Sequence, residues 1–244
     1  MIYNYKLTIS FLGKNYNGWQ RQKNGVGVQQ VIEERLERLF NQKITVIGCC
    51  RTDAGVHALK HVSNFKTVKE VDLSNIKKFL NATLPRDISV LDIEKVDESF
   101  HARFDAKGKT YIYRVYTKPD PFLFGRGWYF DKKFDLVKIL EGIEILKKHK
   151  NLVSIAKKGE YLREEIDLRE LKIRFNGTVL EFEITASHFL RGLVRGIVGH
   201  LMAIGRGSLD LKEFDKILTS KDPAKGRFSA PAEGLFLKEV YFYY

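Results

Sequence analysis

Cysteine is nearly absent from this chain: there are two in 244 residues, and they are adjacent, Cys49 and Cys50. Read as neighbours on a strand they face opposite sides, which argues against both an ordinary disulfide and a metal pair. Proline is almost as scarce, at five, and the 19 glycines are scattered, so no linker-like or low-complexity tract breaks the sequence. No apolar run approaches the ~18 residues that a membrane span requires. Met1-Ile2-Tyr3-Asn4-Tyr5-Lys6 reads as the opening of a strand and lacks the regions of a secretory signal. A cytoplasmic address is the resulting expectation. Acids are the other shortage, 30 against 42 basic residues, for a net charge of +12. The first 105 residues hold 16 basic and 12 acidic side chains and the remainder 26 and 18, an excess of +4 and then +8. An excess spread over both parts favours a broad polyanion-binding surface rather than a basic tail, since each neutralised phosphate releases counterions.

What is present is ordinary globular material, 44% hydrophobic and 30% charged. Residues 2–11 alternate as a strand, and 28–41 form an amphipathic helix with Val28, Val31, Ile32, Leu36, Leu39 and Phe40 on one face. Strands are expected at Ile44–Cys50 and Lys60–Phe65, then a helix capped by Ser74 and ended before Pro85, then a strand at Ile88–Val96. That order, βαββαβ, is the signature of a ferredoxin-like unit.

The second part repeats it. A strand is expected at Lys109–Thr117, followed by an Asp135-capped helix carrying Leu136, Ile139, Leu140, Ile143 and Leu146. Strands at 166–175 and 178–186 are joined by the hairpin pair Asn176-Gly177. Helices over 190–204 and after Asp210 precede a last strand, Leu235–Phe242. The expected fold is α+β in two ferredoxin-like halves, residues 1–105 and 106–244.

Arg51-Thr52-Asp53-Ala54-Gly55-Val56-His57-Ala58 falls between two strands. Its local chemistry supports two readings. One is a turn, because Asp and Gly favour tight turns. The other is an acid kept ionised by a nearby cation, with small neighbours that let a planar substrate approach, as a nucleophile or a general base. His57 and His61 stand four apart without a zincin pattern or evident partner ligands, so no metal is expected. Gly25-Val26-Gly27 lacks both a dinucleotide fingerprint and a phosphate-loop lysine.

The segment around Asp53 resembles the active-site motif of the tRNA pseudouridine synthase A family, and further blocks resemble that family in order along the chain. They are Gly18-Trp19-Gln20-Arg21-Gln22, Asn81-Ala82-Thr83-Leu84-Pro85-Arg86-Asp87-Ile88, Phe100-His101-Ala102-Arg103-Phe104 with Lys109–Arg114, Val194-Arg195-Gly196-Ile197-Val198-Gly199, and Ala230-Pro231-Ala232-Glu233-Gly234-Leu235.

The resemblance implies two halves whose mixed sheets merge around a central catalytic cleft, in a homodimer. It implies an isomerase converting uridine to pseudouridine in the tRNA anticodon stem-loop, at positions 38, 39 and 40, without cofactor or metal. It makes Asp53 the nucleophile, places Tyr111 against the target uracil and points Arg195 toward Asp53 as a buried ion pair. Arg51 is left to the RNA backbone or to flipping out the target base. Without the resemblance, Tyr111 reads as a core aromatic, and Arg191 and Arg195 as solvated arginines beside an apolar stripe.

Three features depart from the family pattern: Cys50 in place of a glycine, Gly192 and Gly196 in a helix, and the segment 149–165. The competing functions are a non-catalytic RNA-binding protein and a related synthase acting on other RNA uridines.

Overall fold

A computed structural model describes residues 1–159 and 164–242, in two compact units. One comprises Met1–Lys107 with Phe236–Tyr244, the other Gly108–Leu235. The protein is α+β, as its pattern of strand and helix periods implies.

In the first unit the order is β1 (Tyr3–Phe11), α1 (Val28–Phe40), β2 (Val46–Gly48), β3 (His57–Thr67), α2 (Leu73–Thr83) and β4 (Ile88–Val96). β1 lies between β3 and β4, antiparallel to both, and β2 pairs with the Ser63–Phe65 stretch of β3. This is the expected βαββαβ unit. Alternation along β1 sends Tyr5, Leu7, Ile9 and Phe11 inward, where they meet Val28, Ile32, Leu36 and Phe40 of α1 in a buried core. α1 carries one buried acid, Glu33, whose oxygens accept from Arg21 Nε at 2.8 Å, Gln29 Nε2 at 3.1 Å and the Val46 amide at 2.9 Å. That set satisfies a charge that burial would otherwise penalise, and it ties helix, strand and N-terminal loop together.

The second unit contains β5 (Gly108–Tyr116), β6 (Trp128–Tyr129), α3 (Leu136–Lys147), β7 (Leu168–Phe175), β8 (Val179–Ala186), α4 (Leu193–Gly205) and α5 (Leu211–Ser220). β8 lies between β5 and β7, antiparallel to both, and the β7–β8 turn is at Asn176-Gly177 as expected. Asp135 caps α3, its carboxylate accepting from the amides of Val137 and Lys138.

Several expectations are corrected. The strand expected at Ile44–Cys50 is only Val46–Gly48, so Cys49 and Cys50 lie in a bend beyond it and the opposite-faces argument fails. Their sulfurs are 3.8 Å apart. The cap of α2 is Asp72 rather than Ser74: its carboxylate accepts from the Asn75 amide, and the Ser74 hydroxyl donates to it. The buried face of α3 is Ile139, Gly142, Ile143 and Leu146, while Leu140 is exposed, because Gly142 lets α4 approach at Leu201 and Ile204. The final strand β9 (Leu235–Tyr241), expected with the second half, lies almost wholly in the first unit, where His57 and Ala58 pair in parallel with Phe236 and Leu237. Within the divergent segment 149–165, residues 160–163 lie outside the described residues; Val153–Ile155 form a 3-10 turn.

Candidate active site

Asp53 sits in the loop that leaves β2 and enters β3, and backbone hydrogen bonds help to hold the loop. The Val56 amide donates to the Asp53 carbonyl at 3.2 Å, closing a tight turn in which Gly55 has a φ of +81°. Only glycine takes that conformation without strain.

The N-terminal loop supports the turn from one side. The Trp19 amide donates to Thr52 O and the Gly55 amide to Tyr16 O, both at 3.4 Å. A Cβ on Gly13 would lie 2.0 Å from Val56 O, and one on Gly18, whose φ is +84°, would lie 2.2 Å from Thr52 O. The two loops therefore touch main chain to main chain at glycines. This is a physical reason for the Gly18-Trp19 block to accompany the Asp53 block.

The middle block holds that N-terminal loop in turn. Asp87 accepts from the Tyr16 hydroxyl at 2.6 Å and from Asn15 Nδ2 at 3.0 Å, and its carbonyl accepts from the Leu12 amide at 2.9 Å. Burial and the Asp87 carboxylate both push the Tyr16 phenol well above its usual range, so it stays a donor. His57 serves the structure: it is buried, and its Nδ1 accepts from the Gly13 amide at 2.9 Å. Asp53 itself is half-buried, at the surface of this scaffold. Arg51 is exposed and makes no ion pair among the described residues.

The other candidates belong to the second unit. Tyr111 and Tyr113 share one face of β5, as the strand period demands. They have different environments. Tyr113 is fully buried, its hydroxyl donates to Pro231 O at 2.7 Å, and burial drives its pKa far up. A Cβ on Gly234 would be 2.5 Å from the Tyr113 ring, so the Ala230–Leu235 block closes over that tyrosine. Tyr111 is 7% exposed and meets Phe189 edge-on, with centroids 4.9 Å apart.

Arg195, half-buried on α4, exchanges two bonds with Ala230. Its Nε donates to Ala230 O at 2.7 Å, and the Ala230 amide donates to Arg195 O at 2.9 Å. The glycines that depart from the family pattern have local causes. Gly192 is not inside the helix but is its N-cap, with a φ of +71°. Gly196 is inside, where a Cβ would lie 1.8 Å from Ile155 O, so the close approach is to the 3-10 turn. Arg191 is exposed. Asp53 and Arg51 thus share one loop of the first unit, and Tyr111 and Arg195 lie on separate elements of the second. Sequence reasoning missed Gly13, Tyr16 and Asp87 as supports of the loop; Asp87 falls inside the middle block, and Gly13 and Tyr16 only near the Gly18–Gln22 block.

The family model for tRNA pseudouridine synthase matches residues 7–105 and 148–243. The chain belongs to the tRNA pseudouridine synthase family. A tRNA pseudouridine synthase A from Clostridium kluyveri is 40% identical over 242 residues, covering 98% of this chain and 99% of that one. Those of Hydrogenobaculum sp. and Aquifex aeolicus are 37% and 36% identical, with at least 97% of this chain and 98% of theirs covered. The two segments matched by the family model contain the Asp53 loop with its glycine supports, and Arg195 with the Ala230 block. Tyr111 lies between them, and its family context rests on the whole-length relatives.

Proposed function

We propose that this chain converts uridines of the tRNA anticodon stem-loop, at positions 38, 39 and 40, to pseudouridine, with Asp53 as the nucleophile. Family membership carries the coarser statement, an isomerase acting on tRNA uridine. The observation that best supports the finer one is the main-chain scaffold under Asp53. The N-terminal loop, braced in turn by Asp87 of the middle block, presses on the Asp53 turn, whose carboxylate is left half-buried at the scaffold's surface. A structural aspartate in a turn would not require two glycines on a separate loop to press against its flanking carbonyls.

In the proposed reaction an Asp53 oxygen bonds to C1′ as the N1–C1′ bond breaks, and the uracil leaves as an anion. The base rotates, C5 bonds to C1′ and the ester to Asp53 breaks. The proton on C5 is then lost while N1 regains one, so the product is an isomer of the substrate. Tyr111 lies against the uracil and assists removal of the C5 proton. Arg195 is assigned the role of counter-charge to the Asp53 carboxylate during the reaction. Arg51 engages the phosphate backbone while the target base is out of its stack, as chemistry on a stacked base requires. The enzyme is expected to act as a homodimer in the cytoplasm; no helix among the described residues is long and apolar enough to cross a membrane.

The test is incubation with unmodified tRNA followed by chemical mapping of pseudouridine. Asp53→Asn should lower the rate by roughly 10³-fold or more, the scale on which losing a reacting group acts. Full activity in that variant would remove Asp53 from the chemistry. Tight tRNA binding without product would favour a non-catalytic RNA-binding protein, and product outside the anticodon arm a related synthase.

A further inference from the structure

Cys49 and Cys50 close the bend just past β2, and the Cys49 amide donates to Val62 O at 2.8 Å, so both are clamped against β3. Their sulfurs and a ring nitrogen of His61 lie mutually within 4.8 Å. The sulfur–sulfur separation is 3.8 Å. Two thiolates on one tetrahedral zinc, at about 2.3 Å each, sit about 3.8 Å apart, so the sulfurs already have the spacing of a shared ion.

The imidazole supplies an independent observation. His61 is fully buried, its Nε2 lies 3.1 Å from the Cys50 carbonyl, and its Nδ1 has no hydrogen-bond partner among the described residues. A carbonyl accepts only, so Nε2 donates to it, and Nδ1 is the ring nitrogen left to act as a ligand. A bare nitrogen enclosed without a partner is costly, and a metal ion would satisfy it. The ring cannot easily turn away. Trp19 stacks on it with centroids 3.8 Å apart, and Gly48 is packed so tightly that a Cβ there would lie 2.4 Å from Trp19 and 2.9 Å from His61. Cys49 is buried and Cys50 half-buried.

We infer that Cys49, Cys50 and His61 form a zinc site at the root of the Asp53 loop. Two thiolates, a neutral imidazole and a small space suit a thiophilic ion with tetrahedral preference, and a fourth position would be left for water. Binding releases two protons to solvent as the thiols become thiolates. The ion would join the exit of β2 to β3 immediately before Arg51, and so would stiffen the entry to the catalytic turn. It takes no part in the isomerisation, and the inference does not rest on the role proposed for Asp53.

The test uses the full chain, reduced and stripped of metal, titrated with Zn²⁺ against a chromogenic chelator and separately with Co²⁺. One zinc per chain, proton release on binding and a thiolate-to-cobalt charge-transfer band are expected. Cys50→Ser should weaken zinc binding by at least about tenfold and diminish the band, with an unchanged far-ultraviolet spectrum reporting a folded chain. No stoichiometric uptake by the reduced wild type, or uptake without the charge-transfer band, would overturn the inference, as would oxidation to a Cys49–Cys50 disulfide with no metal bound by the reduced form. None of these readouts involves RNA, so they are distinguishable from a failure of the proposed activity.

Discussion

The Asp53 loop and the Arg195 helix are both placed by glycines, but in opposite ways. Under Asp53 the glycines are on the supporting loop, Gly13 and Gly18, and the Asp53 turn presents its carbonyls to them. Around Arg195 the glycines are on the helix itself: Gly196 and Gly199 of α4 admit the carbonyl of Ile155 and the backbone of Phe228–Ala230. The first arrangement fixes a loop that has no regular structure of its own. The second lets a preformed helix sink close enough for Arg195 and Ala230 to exchange bonds. A loop positioned from outside depends on its neighbour's shape, whereas a helix keeps its shape and loses only its placement.

That difference can be broken by adding one methyl group in each region. Gly18→Ala meets both a φ of +84° and a carbonyl 2.2 Å from the new carbon, and Gly196→Ala meets a carbonyl at 1.8 Å. Gly18→Ala should cost about 2–4 kcal/mol in chemical denaturation, combining strain and overpacking, and Gly196→Ala about 1–3 kcal/mol from overpacking alone. Gly18→Ala should also cut turnover sharply, since the displaced carbonyl belongs to Thr52, next to Asp53. Gly207→Ala is the control: its φ is +79° but nothing lies within 4 Å, so only about 1 kcal/mol of backbone strain is expected. A loss in Gly207→Ala equal to that in Gly18→Ala would show that conformation, not close approach, sets the cost.

The same comparison explains how much of the molecule is legible in its sequence. Elements with a strong period, such as α1 and β1, and the Asn176-Gly177 hairpin are readable from side chains alone, because burial patterns repeat at 3.6 or 2 residues. The bend at Cys49-Cys50 is not, since Ile44–Cys50 is apolar and β-prone yet pairs only over Val46–Gly48. The end of that strand is set by tertiary packing around Gly48. Gly192 reads as a costly helical glycine because the turn before α4 carries the same apolar spacing as the helix. Asp53 is legible only through the family blocks. Contacts such as Gly18 to Thr52 O involve main-chain atoms that every sequence has, so nothing in residue chemistry announces them.

Within β5 a smaller contrast separates Tyr111 from Tyr113. Tyr113→Phe removes the donor to the part-buried Pro231 O, which should lower stability by about 1 kcal/mol. Its effect on the reaction should follow stability alone. Tyr111→Phe should instead lower kcat with little change in tRNA affinity, as expected of a phenol that assists proton removal. Unchanged kcat in Tyr111→Phe would return that residue to the role of a core aromatic.

The smallest effect concerns pH and distinguishes the helix region from the loop region. His200 on α4 is fully buried, its Nδ1 donates to Gly196 O at 2.7 Å, and its Nε2 has no partner among the described residues. Burial lowers its pKa, helped by the Arg227 charge, although the bond to Gly196 pulls the other way. The unfolded chain takes up this proton near the usual value of about 6.5, while the folded chain resists it. Below that pH the unfolded state therefore binds more protons, and unfolding free energy falls as pH drops until the lowered pKa is passed. Above about 6.5 this contribution is fully present. His200→Asn keeps a donor near Gly196 O but cannot titrate, so its stability should depend less steeply on pH between about 6.5 and the lowered value. Denaturation midpoints of both proteins across that window measure the difference. Parallel curves would mean that His200 is as easily protonated in the folded chain as in the unfolded one, and that the approach of α4 to Ile155 leaves it wetter than its surroundings imply.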